Sequence, residues 1–531
     1  MSRFRYLMII AALAAVTLGS LFFIRKIESN LDRTIDQEKL RFSGNVSDAP
    51  PLVAFTSMAM GSFRGLLADV LWLRSENLKA KKSYFEMVQL ARWITDLQPN
   101  YSGGTAYLAW NLAYNISVTS SDFEDRWYWV NEGIKLIRDK ALLYNPDDPV
   151  LYKELSWIFF HKLGNVLDDA NLYYKNQLAI QMTNILGSTT PDIEALAAAP
   201  STKTDFLKKY PADSRIWLIG AEAGITGFDS LYNAFRSPVK AEVPVVFKNK
   251  LNETEFKELD SALRAILLRE KMKLDPAKMA QIDRKYGKMD WRVPESQAIY
   301  WATLGVEKAH GKNLPCARLI TQAMQAAFRG GKLLSVDAGN GQYIQVVPNL
   351  ELADAAYEAY LSTEKEFEKD GSGQTFFSAR INYLKDAIPL IYINGNISKA
   401  EDFLKKLQKE DGTQKNKTLD EFVMVEFAED VRDASVKKAS AIISGLIRRS
   451  ILNLIYGDHS AALANERLAR YIYRKYSAEN KDVKRNALPP YKQLKAGEIA
   501  ECRKYLPPVM VTILDAAIAS EKAEIQEAQK M

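Results

Sequence analysis

Residues 141–164, A-L-L-Y-N-P-D-D-P-V-L-Y-K-E-L-S-W-I-F-F-H-K-L-G, constrain this chain's fold more than any other stretch. Pro146 lacks an N–H and clashes with a preceding helical turn, so it cannot sit inside a helix. It also drives Asn145 out of the helical region. One helix must therefore stop near Tyr144. Asp147 or Asp148 can cap the next, with Pro149 at its first position, where a missing N–H costs nothing. Tyr152, Leu155, Phe159 and Leu163 then share one face at helical spacing, and Trp157 and Phe160 widen it. The stretch reads as a helix–turn–helix joint.

Weaker copies of the joint recur. An apolar helix over 84–97 closes on Gln98-Pro99-Asn100, and Tyr107, Trp110 and Tyr114 open its successor. A third joint, Tyr210-Pro211-Ala212-Asp213, precedes Trp217. The pattern resembles tetratricopeptide repeats, helical-hairpin arrays with a period of about 34 residues. Trp301-Ala302-Thr303-Leu304-Gly305 matches the W-x2-L-G opening of such a repeat, with Ala317 where the second helix needs a small residue. The runs from Gly395 to Ala400 and from Gly457 to Ala462 place Gly at a hairpin turn and Ala five residues on. Gly accepts a left-handed turn conformation, and Ala lets two helices approach closely. The resemblance covers segments near 68–175, 205–235, 295–330, 377–410 and 440–476, with irregular spacing and no repeat carrying the full signature. It implies an all-α fold, an irregular TPR-like α-solenoid; an ordinary helical bundle is the alternative.

The chain has 531 residues, too many for one ordinary core. Residues 6–24 carry no charge and are flanked by Arg3 and Arg5 before, Arg25 and Lys26 after. A helix of that length spans roughly 28 Å, close to the roughly 30 Å of a bilayer's hydrocarbon core. A cleaved signal peptide is the rival reading. The apolar run continues through Leu21-Phe22-Phe23-Ile24 after the small residues, which favours a retained anchor. A short N-terminal tail stays in the cytoplasm, which puts the bulk of the chain outside it, in the periplasm of a two-membrane bacterium. The expected divisions are an anchor over 1–27, a stalk and linker over 28–57 and TPR-like repeats over 58–235. An insertion and connector over 236–290 and further repeats with a capping helix over 291–531 complete them. Residues 187–204 read as a loop and 238–250 as extended. The segment 332–348 carries a β-hairpin signal, with Gly339-Asn340-Gly341 as its turn.

Charge and composition exclude little but help. A net charge of +6 over this length, with no long basic run, gives no case for nucleic acid. Cys316 and Cys502 lie far apart and make no metal or redox spacing. His161, His310 and His459 are too scattered for a metal site. No cofactor is expected. Glu295-Ser296 and Ala113-Tyr114-Asn115 also occur in lytic transglycosylases, but here their order is reversed and the glycine-led motif between them is missing. Asp147-Asp148 reads as a helix cap, Asp168-Asp169 as solvated carboxylates, and His161 as a satisfied, partly buried histidine.

The densest run of special residues is Asp290-Trp291-Arg292-Val293-Pro294-Glu295-Ser296-Gln297-Ala298-Ile299-Tyr300-Trp301. It is either an aromatic-lined repeat start or a groove gripping a peptide or glycan, with Trp291, Arg292, Tyr300 and Trp301 as the interaction surface. The aromatics Tyr107, Trp110, Tyr114, Trp127, Tyr128 and Trp129 invite the same two readings. The functional expectation is a membrane-anchored scaffold that binds other proteins or peptides in an envelope, secretion or assembly complex, and no enzyme. A glycan- or peptidoglycan-binding or -processing protein is the alternative.

Overall fold

The structure, a computed structural model, describes residues 63–528 except 189, 237–241, 338–341, 420, 424–435 and 481–486. It also describes three isolated positions, Gly19, Lys26 and Arg33. Apart from these, the expected anchor at 6–24 and the stalk at 28–57 lie outside the described residues, as does the Gly339–Gly341 turn. Among the described residues no helix is long and apolar enough to cross a membrane. Over the described residues the chain is all-α with one small two-stranded hairpin. It divides into two compact units.

The first unit comprises the chain up to Thr105 together with Leu143–Pro146. Helix α1 (Phe63–Ala80) turns through Lys82, at φ 60°, into α2 (Tyr84–Leu97). Leu90, Ala91 and Ile94 of α2 are buried, as the spacing of its apolar residues requires. The joints at Pro99 and Pro146 meet in this unit. Asn145 Nδ2 donates to the Pro99 carbonyl, and the Tyr144 hydroxyl donates to Asp96 at 3.0 Å.

The second unit, Ala106–Leu142 with Asp147 onward, begins within α3 (Ser102–Trp110). Helix α3 widens into π-helical turns at Asn111–Ile116. The same happens after α4 (Phe123–Lys135), at Leu136–Ala141, and after α5 (Pro149–Trp157), at Ile158–Leu163. Asp148 caps α5 by accepting from Val150 N at 2.9 Å, with Pro149 at its first position. Asp147 instead pairs with Lys308 at 2.7 Å. Next come α6 (Asn171–Leu186) and α7 (Ile193–Ala198). Helix α7 corrects the expected loop over 187–204: Asp192 caps it, and Ile193 and Leu196 bury its inner face.

Helices α8 (Lys203–Lys209), α9 (Arg215–Glu222), α10 (Phe228–Arg236), α11 (Glu242–Lys250) and α12 (Glu253–Met272) follow. They share a core around Phe206, Phe228 and Phe247. Residues 242–250 are helical rather than extended. Pro244 falls in the first turn of α11, where its missing N–H is harmless, and Phe247 is fully buried. Helix α13 (Pro276–Tyr286) leads to α14 (Pro294–Lys308).

Helix α14 packs on α5 and on α15 (Leu314–Gly330), and its residues 294–303 are all buried. Gly305 makes this approach possible. A Cβ there would lie 2.6 Å from Cys316 Sγ and 3.1 Å from Tyr152 Cβ. Strands β1 (Lys332–Asp337) and β2 (Gln342–Val347) pair antiparallel, Lys332 opposite Val347 and Asp337 opposite Gln342. Helical hairpins then continue through α16 (Ala353–Glu366), α17 (Gly373–Ile393) and α18 (Ile397–Glu410). Four helices share a last core around Ile443, Ile447 and Leu514: α19 (Val436–Ile455), α20 (His459–Glu479), α21 (Tyr491–Tyr505) and α22 (Pro508–Ala528). Gly395 and Gly457 take φ values of 84° and 77° at two of the hairpin turns, and Ala400 and Ala462 are buried behind them.

Candidate functional site

Trp291, Arg292, Tyr300 and Trp301 are 1–4% exposed, so they form no interaction surface. Each is consumed by packing or pairing inside the second unit. Trp291 Nε1 donates to both oxygens of Asp283, at 3.2 and 3.1 Å. Arg292 grips Asp290 through Nε and Nη2 at 2.8 and 2.7 Å, and Nη2 also reaches the Leu333 carbonyl at 2.9 Å. Asp290 in turn accepts from Leu333 N, so this pair ties β1 to the start of α14. The Tyr300 hydroxyl accepts from Asp275 N at 2.8 Å, and Trp301 stacks on Tyr152 with centroids 6.3 Å apart. An aromatic-rich helix enclosed on all sides buries large apolar area, and core demand explains its composition.

Asp283 is the titrating member of this region. Burial outweighs the hydrogen bonds from Trp291 and Met289 and pushes its carboxyl up to about 6. The unfolded chain releases that proton near 3.8, so stability falls as pH rises from 3.8 to about 6. Asp283→Asn keeps an acceptor for both donors and carries no charge. Its stability relative to the wild type is expected to grow across that window, by at most about 1.4 kcal/mol per pH unit. Denaturant unfolding of both proteins at a series of pH values reads this directly, and parallel profiles would refute it.

The candidate site is a buried ionic and aromatic cluster in the second unit, built on two of the π-helical segments. A π turn shifts the side chains after it onto a different face of the helix, and such turns concentrate at functional sites. The segment after α5 carries His161 and Lys162, and the segment after α3 carries Tyr114. Lys162, only 3% exposed, pairs with Asp168 at 2.5 Å. Its ammonium lies 5.4 Å from the Tyr114 ring centroid and 6.0 Å from that of Tyr174 on α6. Arg126 on α4 reaches Asp168 at 2.6 Å and Asp169 at 2.7 Å. Trp157 stacks on His161 at 4.6 Å, and Trp110 stacks on Tyr114 at 5.5 Å. The Glu295 carboxylate borders the same end of the segment, where a Cβ on Gly164 would sit 3.2 Å from Oε1. Lys175 Nζ is 3.3 Å from that oxygen.

Burial sets the electrostatics. It pulls the Lys162 ammonium below its ordinary range against the pull of Asp168. Burial works the other way on Asp168, but Lys162, the Ala170 amide and Arg126 hold its carboxyl below the usual value. His161 is lowered by burial and by Lys162, and Glu295 is raised by burial. Burial pushes Tyr174 up to about 12. Among the described residues the Tyr114 hydroxyl, His161 Nδ1 and Glu295 Oε2 have no hydrogen-bond partner. His161 is thus half-buried, stacked on Trp157 and unpartnered at Nδ1, which departs from the expected satisfied histidine.

Asp168 corrects a second expectation. It is no solvated carboxylate but the hub that fixes residues 164–170. Its Oδ1 accepts from Ala170 N at 2.9 Å, and its carbonyl accepts from Asn171 N and Nδ2 at 3.0 and 2.6 Å. Asn165 Oδ1 takes Leu167 N at 3.2 Å. The loop so fixed presents Val166 and Leu167 outward, 79% and 76% exposed, with Leu172 at 67%. Phe123, packed on Tyr173 at 6.0 Å, borders this tip. Asp169 adjoins it in sequence. Burial pushes the Tyr173 hydroxyl up, and the exposed acids Glu124 and Asp122 lie close enough to push it further. A charged residue inside the apolar run F-F-H-K-L-G was the sequence signal for a buried cation. Its acidic partner could be found only in three dimensions.

Fold and site together define an all-α protein of packed helical hairpins that carries an apolar tip on a buried ion cluster. No family model matches the chain, and no curated protein matches it.

Proposed function

We propose that this protein is a membrane-tethered helical scaffold that holds a partner protein through the apolar tip around Val166, Leu167 and Leu172. The observation that carries the reading is the tip's construction. A buried ion cluster orders a loop whose outermost side chains are aliphatic and solvent-facing. Fully burying a Val or Leu side chain stabilises by about 1.5–3 kcal/mol, so the tip offers a partner several kcal/mol before the costs of association. The neighbouring acids select for a partner segment that is apolar and basic, and the charges steer its approach. Residues 6–24 supply the tether. The glycan alternative loses Trp291 and Trp301, which are buried, but keeps Tyr107, Trp110 and Tyr128, which are exposed.

A photo-reactive side chain at position 167 of the full-length protein in native membranes tests this. The expected result is one dominant protein adduct, lost in Val166→Ser/Leu172→Ser and reduced at high salt. A matched probe at exposed Leu218 should give no such adduct. Equal labelling at the two positions, or an adduct indifferent to both changes, would overturn the proposal.

A further inference from the structure

An open groove between α6, α10 and α12 has a volume of about 270 Å³. Its wall is apolar: Ile185 and Leu263 are buried, and Phe235 and Leu267 are half-buried. Its rim is cationic. Arg264 is spent, donating from Nε to Asp260 at 2.7 Å and from Nη1 to the Asn184 and Ile185 carbonyls at 3.2 and 3.1 Å. These last two bonds cap the C-terminal end of α6, where Gly187 at φ 72° leaves room for the guanidinium. Asp260 is thereby neutralised.

Arg236 and Lys271 are different. Both are exposed, and among the described residues neither enters an ion pair. The Arg236 guanidinium lies 5.1 Å from the Tyr232 ring centroid, donates to Asn233 at 2.8 Å and also bonds the Tyr232 hydroxyl. Glu270 accepts from the Tyr232 hydroxyl and pairs with neither cation. The rim therefore keeps a net positive charge beside an apolar wall, with the Gln181 and Asn184 amides as further donors.

We infer that this groove binds a small organic carboxylate with an apolar body, its carboxylate between Arg236 and Lys271 and its body along Ile185, Leu263 and Leu267. A groove of this volume suits a body about the size of a medium-chain fatty acid or an aromatic acid. Charge-assisted hydrogen bonds from guanidinium and ammonium select the anion, and the wall selects against short acids. The site is separate from the tip at 166–172, so it stands or falls independently of the scaffold reading.

Calorimetric titration of the full-length protein in detergent with octanoate tests the inference, with octan-1-ol and acetate as controls. Octanoate is expected to bind one-to-one with a Kd on the order of 1 mM. Octan-1-ol and acetate should each bind at least about tenfold more weakly. Arg236→Gln/Lys271→Gln should weaken octanoate about tenfold with an unchanged unfolding transition, since both side chains are exposed. Val166→Ser/Leu172→Ser should leave the affinity as it is. Equal affinity for octanoate and octan-1-ol, no octanoate binding, or affinity unmoved by removing both charges would each overturn the assignment.

Discussion

Asp168→Ala is expected to destabilise the second unit by about 3–5 kcal/mol, the cost of removing one partner of a buried ion pair. The carboxylate neutralises Lys162 and Arg126, whose side chains are only 3% and 8% exposed, and neither can be rehydrated without opening the fold. Asp169→Ala is the control. Its side chain is 73% exposed, and its pair with Arg126 should be worth less than about 1 kcal/mol. Asp168→Asn separates two contributions, because an amide oxygen still accepts from Ala170 N while the charge is gone. It should recover the turn but not the pairing. The wild type should also lose this stabilisation in acid. The folded carboxyl titrates below its ordinary 3.8, so the contribution is intact above that pH and is lost as pH falls below it. Denaturant midpoints for the three variants, with the tip crosslink measured in parallel, check both the energy and the claim that this cluster holds the tip. Asp168→Ala no less stable than Asp169→Ala would remove the ion cluster as the support of the site.

The second large effect concerns one substitution with opposite signs at two helical glycines. Gly133→Ala in α4 is expected to destabilise by about 1–3 kcal/mol through overpacking. The new Cβ would lie 2.7 Å from the Ala109 carbonyl oxygen and 3.3 Å from Ala113 Cβ, so the clash is with a neighbouring helix and its backbone, not with a mobile side-chain end. Helix propensity favours Ala by about 1 kcal/mol and loses to that clash. Gly445→Ala in α19 meets nothing within 4 Å and should stabilise by about 0.5–1 kcal/mol. Thermal unfolding of the two single variants reads both signs. A stabilising Gly133→Ala would mean that α3 and α4 separate easily and that the cluster above them is loosely held.

Several features were legible in the sequence because they are local. The stop at Tyr144, the Asp148 cap with Pro149, the left-handed Gly395 and Gly457 and the hairpin over 332–347 depend on residues a few positions apart. The reading failed where a local signal had more than one tertiary use. Trp291 and Trp301 suit a binding groove and a core equally, and nothing nearby in sequence shows that α5 and α15 enclose α14. Residues 238–250 read as extended, although Pro244 is harmless in a first helical turn and buried Phe247 anchors the helix.

Sequence alone determined the all-α class, the places where helices must start and stop, and the supply of aromatic and charged side chains. Only the tertiary structure decided which of them meet. Lys162 and Asp168 come together across a loop, Arg126 joins them from 42 residues away, and Glu295 closes in from a helix far along the chain. The physical reason is that backbone sterics and capping act over one helical turn. The fate of a charge depends instead on which distant surfaces exclude water around it.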